Sequence, residues 1–135
     1  MERVEVFCLG LLAVVFAVVS AVGFFVPHIL FDPIGLSLDS AAIAAEVRAA
    51  YGGLFGAAAY VCAMGALRAP RRTLALTFAV VVLGGFSLGR WVSWGLDGPP
   101  EHPVAIANLI AENVGFVLAA LLLVARRRRA VGPTV

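Results

Sequence analysis

Charged residues are sparse along this chain, and they fall in clumps separated by long apolar stretches. No Asp, Glu, Lys or Arg occurs from Val6 to Val26, a run that at about 1.5 Å per residue is long enough to cross a bilayer core as a helix. Pro27 and His28 end it, and Asp32-Pro33-Ile34-Gly35 reads as a turn. Asp39 or Ser40 can cap a second helix that begins in the alanines after Ser40 and continues to Leu67. That helix is roughly 40 Å long, more than the hydrocarbon thickness, so its first turns stand in the interface. Arg68-Ala69-Pro70-Arg71-Arg72 is a tight basic connection. A third apolar run follows and closes on Trp91 and Trp94, the residue type that gathers at membrane interfaces. After the polar turn at 97–103, a fourth run stops at four consecutive arginines, 126–129. The pattern predicts helices over about residues 6–26, 41–67, 73–95 and 104–125, forming one four-span membrane domain over residues 1–129. Residues 130–135 are expected as a disordered tail. The fold class expected is all-α, a four-transmembrane-helix bundle.

Composition strengthens this reading. Hydrophobic residues make up 62% of the 135 and charged residues 13%, against about half and a quarter in soluble domains. A soluble domain of this size has too much surface to hide so much apolar side chain; lipid is the solvent. A cleaved signal peptide is the rival reading of the first run, with Val19-Ser20-Ala21 as a faint cleavage site. Glu2 and Glu5 in its lead-in and the length of the run argue for a retained helix.

The net charge of +2 matters less than its placement. All ten basic residues are Arg, consistent with a GC-rich bacterial gene. With the N-terminus inside, Arg3, the three arginines of 68–72 and the four of 126–129 share one side, leaving only Arg48 and Arg90 on the other. This positive-inside bias predicts both termini in the cytoplasm and a multi-pass protein of the bacterial cytoplasmic (inner) membrane. Membrane lipids are the expected partners, with the arginine run favouring anionic headgroups. No basic stripe interleaved with aromatics suits nucleic acid. Cys8 and Cys62 read as reduced thiols. His28, Asp32, Asp97, Glu101 and His102 fall on the outer loops without ligand spacing, so neither a metal nor a cofactor is expected.

Four charges lodge inside apolar runs: Glu46, Arg48, Arg90 and Glu112. Counted from the cytoplasmic helix ends, Glu112 stands roughly 20 Å up, Arg90 about 25 Å, Arg48 about 28 Å and Glu46 about 31 Å. Arg90 falls between the two carboxylates in height and can reach either, and the set sums to zero charge. Asn108, one turn above Glu112 on the same face, can add a hydrogen bond. Such groups in a membrane lock helices together or form a binding or proton-handling site. Gly52-x-x-x-Gly56 with Gly53, Gly85-x-x-x-Gly89, and the stripe Ala107, Ala111, Gly115, Ala119 are expected to let helices approach closely. They serve contacts either within one bundle or between copies in a homo-oligomer.

At Glu46-x-Arg48-Ala49-x-Tyr51-Gly52-Gly53, with Gly56, Arg90, Asp97-Gly98-x-Pro100 and Glu112, the chain resembles the small four-span bacterial membrane proteins of domain-of-unknown-function family 4345. The likeness extends from Pro27 to the basic end of the fourth helix. It implies a four-helix integral membrane protein, and it places Tyr51 and Asp97 beside the four charges and Asn108 as one polar cluster. It implies no substrate, cofactor or catalytic residue.

Three function classes remain. A binding or accessory protein would hold a lipid, a quinone or another apolar small molecule, its head oriented by Arg48 and Arg90 over Glu112. A membrane-embedded enzyme would use Glu112 or Glu46 as acid and base on a lipid-soluble substrate. A small proton-coupled transporter would use a membrane carboxylate without a nearby Arg, which fits this arginine-rich site least.

Overall fold

The computed structural model describes residues 2–130, and those residues form a helical bundle with no strand. Lipid offers no partner to backbone N–H and C=O groups, so apolar runs of this length satisfy them internally as helices. Four long helices result: α1 over Glu2–Phe25, α2 over Ala41–Leu67, α3 over Arg72–Asp97 and α4 over Pro103–Ala130. Each packs chiefly on its sequence neighbour. Only 17% to 28% of the most apolar window of each span is buried. The outward faces carry Phe7, Leu11, Val14, Val18, Val81, Leu88 and Leu121, far more apolar surface than water tolerates on a soluble protein. The protein is a multi-pass membrane protein.

The turns follow the sequence cues. Ser40 caps α2, its hydroxyl accepting the Ile43 N–H at 3.2 Å, while Ser37 donates to Asp39 just before it. Gly98 ends α3 with φ of 97°, which a side chain would strain. α4 continues through all four arginines instead of halting before them. Arg is a good helix former, and positive charge at a helix C-terminus is favoured by the macrodipole. Residues 131–135, most of the expected tail, lie outside the described residues.

The core joins Leu9 and Phe16 of α1, Ala58 and Cys62 of α2, Ala75, Leu76 and Leu83 of α3, and Leu122 and Leu123 of α4. Cys8 and Cys62 are both free thiols. Most of this core lies toward the end that carries the arginines, here the basic end. There a polar clasp closes the bundle. Glu5 is 1% exposed, and its carboxylate meets Arg126 Nη1 at 2.8 Å. Arg126 also donates from Nε to Thr73 Oγ1 at 2.9 Å and from Nη2 to the Ala69 carbonyl at 3.1 Å. Buried Arg72 pairs with Glu2 at 2.5 Å. One guanidinium thus ties α1, α3, α4 and the α2–α3 connection. At the opposite end the packing thins, and all of residues 91–99 are exposed.

Close helix contact depends on two glycines of α1 and α2. A Cβ on Gly23 would lie 2.8 Å from the Gly52 nitrogen and from the Tyr51 carbonyl carbon, both backbone atoms. A Cβ on Gly52 would meet the Phe24 ring at 2.5 Å.

Candidate functional site

Away from the basic end, α3 and α4 are bridged by a two-point ion pair. Arg90 Nε donates to Glu112 Oε2 at 2.5 Å and Nη2 donates to Oε1 at 2.9 Å. The side chains are 34% and 17% exposed, a setting in which fork-to-fork pairing is strong and directional. One to two turns toward the core, Gly84 faces the Phe116 ring and Gly115 faces Leu83, so small residues set the helix spacing that lets the pair form. Next to it, Trp91 Nε1 donates to Asn113 Oδ1 at 3.2 Å, and Asn113 Nδ2 donates to the Leu109 carbonyl at 2.7 Å. Trp91 and Trp94 stack with ring centroids 5.0 Å apart and planes 4° from parallel.

α2 contributes through a local irregularity. Residues Arg48–Leu54 form a π-helical stretch between two α-helical segments, a rare arrangement that occurs frequently at functional sites. Its wider turns rotate the start of α2 by on the order of 90° relative to an unbroken α-helix. Arg48 Nε donates to the Phe24 carbonyl at 3.2 Å, which places a positive charge on the C-terminal end of α1. Ser20 Oγ donates to the Gly52 carbonyl at 2.7 Å. Tyr51 lies edge-on to Phe31 at 4.9 Å and stacks on Phe55 at 5.6 Å, and Phe55 reaches Phe86 of α3 at 5.3 Å.

Above that aromatic contact α2 and α3 leave a groove of about 460 Å³ between them. Tyr51 and Leu54 line it from α2; Phe86, Gly85, Gly89 and Arg90 line it from α3. A Cβ on Gly85 or Gly89 would meet nothing within 4 Å. The groove therefore has an apolar length, bare helix backbone along one wall, and the Arg90 guanidinium on the same wall. Two of the five N–H groups of Arg90 engage Glu112, and the others have no partner among the described residues.

A family model described as "Domain of unknown function (DUF4345)" matches residues 4–123. The chain belongs to this family. No curated protein and no solved structure gives a significant match.

In this DUF4345 protein the polar residues singled out by depth do not form one cluster. Arg90 and Glu112 meet. Arg48 turns instead to the end of α1, and Glu46 is exposed with no hydrogen bond or ion pair among the described residues. Height along the membrane is only one coordinate, and the π-helical stretch changes the face that the start of α2 presents. Asp97 accepts a bond from Ser93 of its own helix at 3.0 Å. Asn108 is exposed, and it is Asn113 that takes part in the α3–α4 bridge. Tyr51 reaches Arg90 only across the groove that both line.

The glycines divide as well. Gly52, Gly56 and Gly115 of the DUF4345 chain are closely approached, by Phe24, Ser20 and Leu83. A Cβ on Gly53, Gly85 or Gly89 would meet nothing within 4 Å among the described residues. Gly23, Gly65 and Gly84, which are closely approached, stand outside the glycine-repeat spacing that the sequence offers. The clasp residues Glu2, Glu5, Arg72 and Arg126 carry no repeat either, although Glu5 precedes Leu9 by four on the buried face of α1 and that spacing is readable. Among the described residues no three of His, Cys, Asp and Glu come together as a metal could require.

The ion pair makes a direct prediction for this DUF4345 protein. Arg90→Ala should destabilise the fold in detergent by up to about 3 kcal/mol, given the partial exposure of both groups, read as a lower unfolding midpoint. Glu112→Gln in that background should restore part of the loss by removing the stranded charge. Equal stability of Arg90→Ala and wild type would show that the pair contributes nothing.

Proposed function

We propose that this protein is a binding or accessory protein of the bacterial cytoplasmic membrane that holds a lipid-like molecule in the groove between α2 and α3. The arginine distribution supports placing the basic end in the cytoplasm, which puts the groove in the outer half of the bilayer. The observation that carries the reading is the pairing of an uncovered apolar groove with a guanidinium that has spare donors on its wall. Pockets that bind small molecules combine a mostly apolar lining with a few placed polar groups.

The same geometry ranks the alternatives. Glu112 has both oxygens engaged by Arg90, and Glu46 is turned to the outside. Neither is poised to shuttle a proton to a molecule in the groove, as an enzyme or a proton-coupled transporter would need. Binding asks nothing of them beyond holding Arg90 in place.

Gly85→Leu tests this cleanly, because its side chain points into open groove rather than into a neighbouring helix. Wild-type protein purified in mild detergent should carry a retained small molecule detectable by mass spectrometry after extraction. The Gly85→Leu variant should fold and retain on the order of tenfold less, equivalent to about 1.4 kcal/mol of lost affinity. A wild-type protein without retained species, or full retention by the folded variant, would refute the groove as a binding site.

A further inference from the structure

The charge balance at the head of the groove selects among lipid-like molecules. We infer that Glu112 acts as a specificity-determining residue, so that the groove favours an amphiphile with a neutral carbonyl head, such as a glycerol ester, over an anionic one. The inference rests on the groove being a binding site. Arg90 is the only cation on the groove wall among the described residues, and Glu112 holds it through two hydrogen bonds of 2.5 and 2.9 Å. The pair has no net charge. What it offers a guest is donor groups fixed in direction by the carboxylate behind them.

An ester or ketone oxygen can accept from those donors at little desolvation cost. A phosphate or carboxylate head would meet a guanidinium already neutralised and a second anion, Glu112, directly behind it. Like charges in a low-dielectric setting repel strongly, and an anion without a full counter-charge is expensive to bury. The groove's other named walls, Tyr51, Leu54, Phe86, Gly85 and Gly89, bring no formal charge to offset that cost. Selection therefore rests on one residue that need not touch the guest: a positioning group whose removal converts a neutral donor site into a cationic one.

The test compares dioleoylglycerol with dioleoylphosphatidate, which share acyl chains and differ in head charge, each titrated onto the full-length protein in a neutral detergent and read by native mass spectrometry. Wild type should bind the diacylglycerol about tenfold more tightly, and Glu112→Gln should reverse that order. The double variant Arg90→Gln/Glu112→Gln, neutral again, should return to the wild-type order; Arg90→Gln alone, which leaves the carboxylate uncompensated, should widen the preference for the diacylglycerol and tests the charge argument if Glu112→Gln does not fold. A wild-type preference for phosphatidate, or an unchanged ratio in Glu112→Gln, would overturn the inference while leaving the groove reading intact, provided that Gly85→Leu still weakens binding of both. Binding of both lipids that Gly85→Leu leaves untouched, or binding of neither by wild type, would bring down the groove reading and the inference with it.

Discussion

Replacing Arg126 by alanine is expected to destabilise the bundle by about 3–5 kcal/mol, whereas replacing Arg127, its neighbour in the same run, should change stability by less than about 0.5 kcal/mol. The two residues are chemically identical, and a stop-transfer signal does not distinguish them. The structure does. Arg126 carries the only counter-charge within hydrogen-bond distance of the Glu5 carboxylate among the described residues, together with bonds to Thr73 and the Ala69 carbonyl. Arg127 is exposed. Without Arg126, Glu5 at 1% exposure is left as a buried charge with nothing to balance it. Adding Glu5→Gln should therefore recover most of the loss. Unfolding by sodium dodecyl sulfate titration, followed by loss of tertiary signal, measures all three chains. Matching midpoints for the Arg126 and Arg127 variants would mean that the clasp does not hold the bundle.

Two glycines one would treat alike should respond in opposite directions. At Gly23 a methyl group would press on the backbone of Tyr51 and Gly52 at 2.8 Å, and backbone cannot rotate aside as a side chain can. Gly23→Ala should cost about 1–3 kcal/mol, the usual penalty for overpacking, as α1 is levered from α2. At Gly85 the same methyl meets nothing. Gly85→Ala should raise stability by about 0.5–1 kcal/mol, because alanine loses less backbone freedom in a helix. Thermal unfolding of the two variants in one detergent decides the matter. A destabilised Gly85→Ala would show that its face is covered in the folded protein.

The contrast between those positions also marks what the chain makes legible. Four spans could be read because a long uncharged run in lipid has one backbone solution, and composition reports that run directly. Arg90 and Glu112 stood out because each is an isolated charge in such a run. Their partners were another matter. Glu46 and Arg48 occur at the right height, yet the π-helical stretch at Arg48–Leu54 changes the face they present, and a count based on 3.6 residues per turn has no means of anticipating it. Glycine spacing is ambiguous for a related reason. Gly85 and Gly89 match the close-packing pattern but line a groove, while Gly23 is an isolated glycine with no repeat to flag it. The clasp is not legible in the chain because its acids lie in the first turn of α1 and its arginines, Arg72 and Arg126, belong to basic runs that membrane topology alone explains.

The stacked indoles beside Arg90 give the molecule a built-in spectroscopic reporter. Trp91 and Trp94 are its two tryptophans, and their rings lie parallel at 5.0 Å, close enough for their excited states to couple. Light absorbed at the red edge of the ultraviolet band is absorbed in that single turn of α3 and nowhere else. Tryptophan emission excited at that edge therefore speaks for the Arg90 end alone, and does not sample the clasp directly.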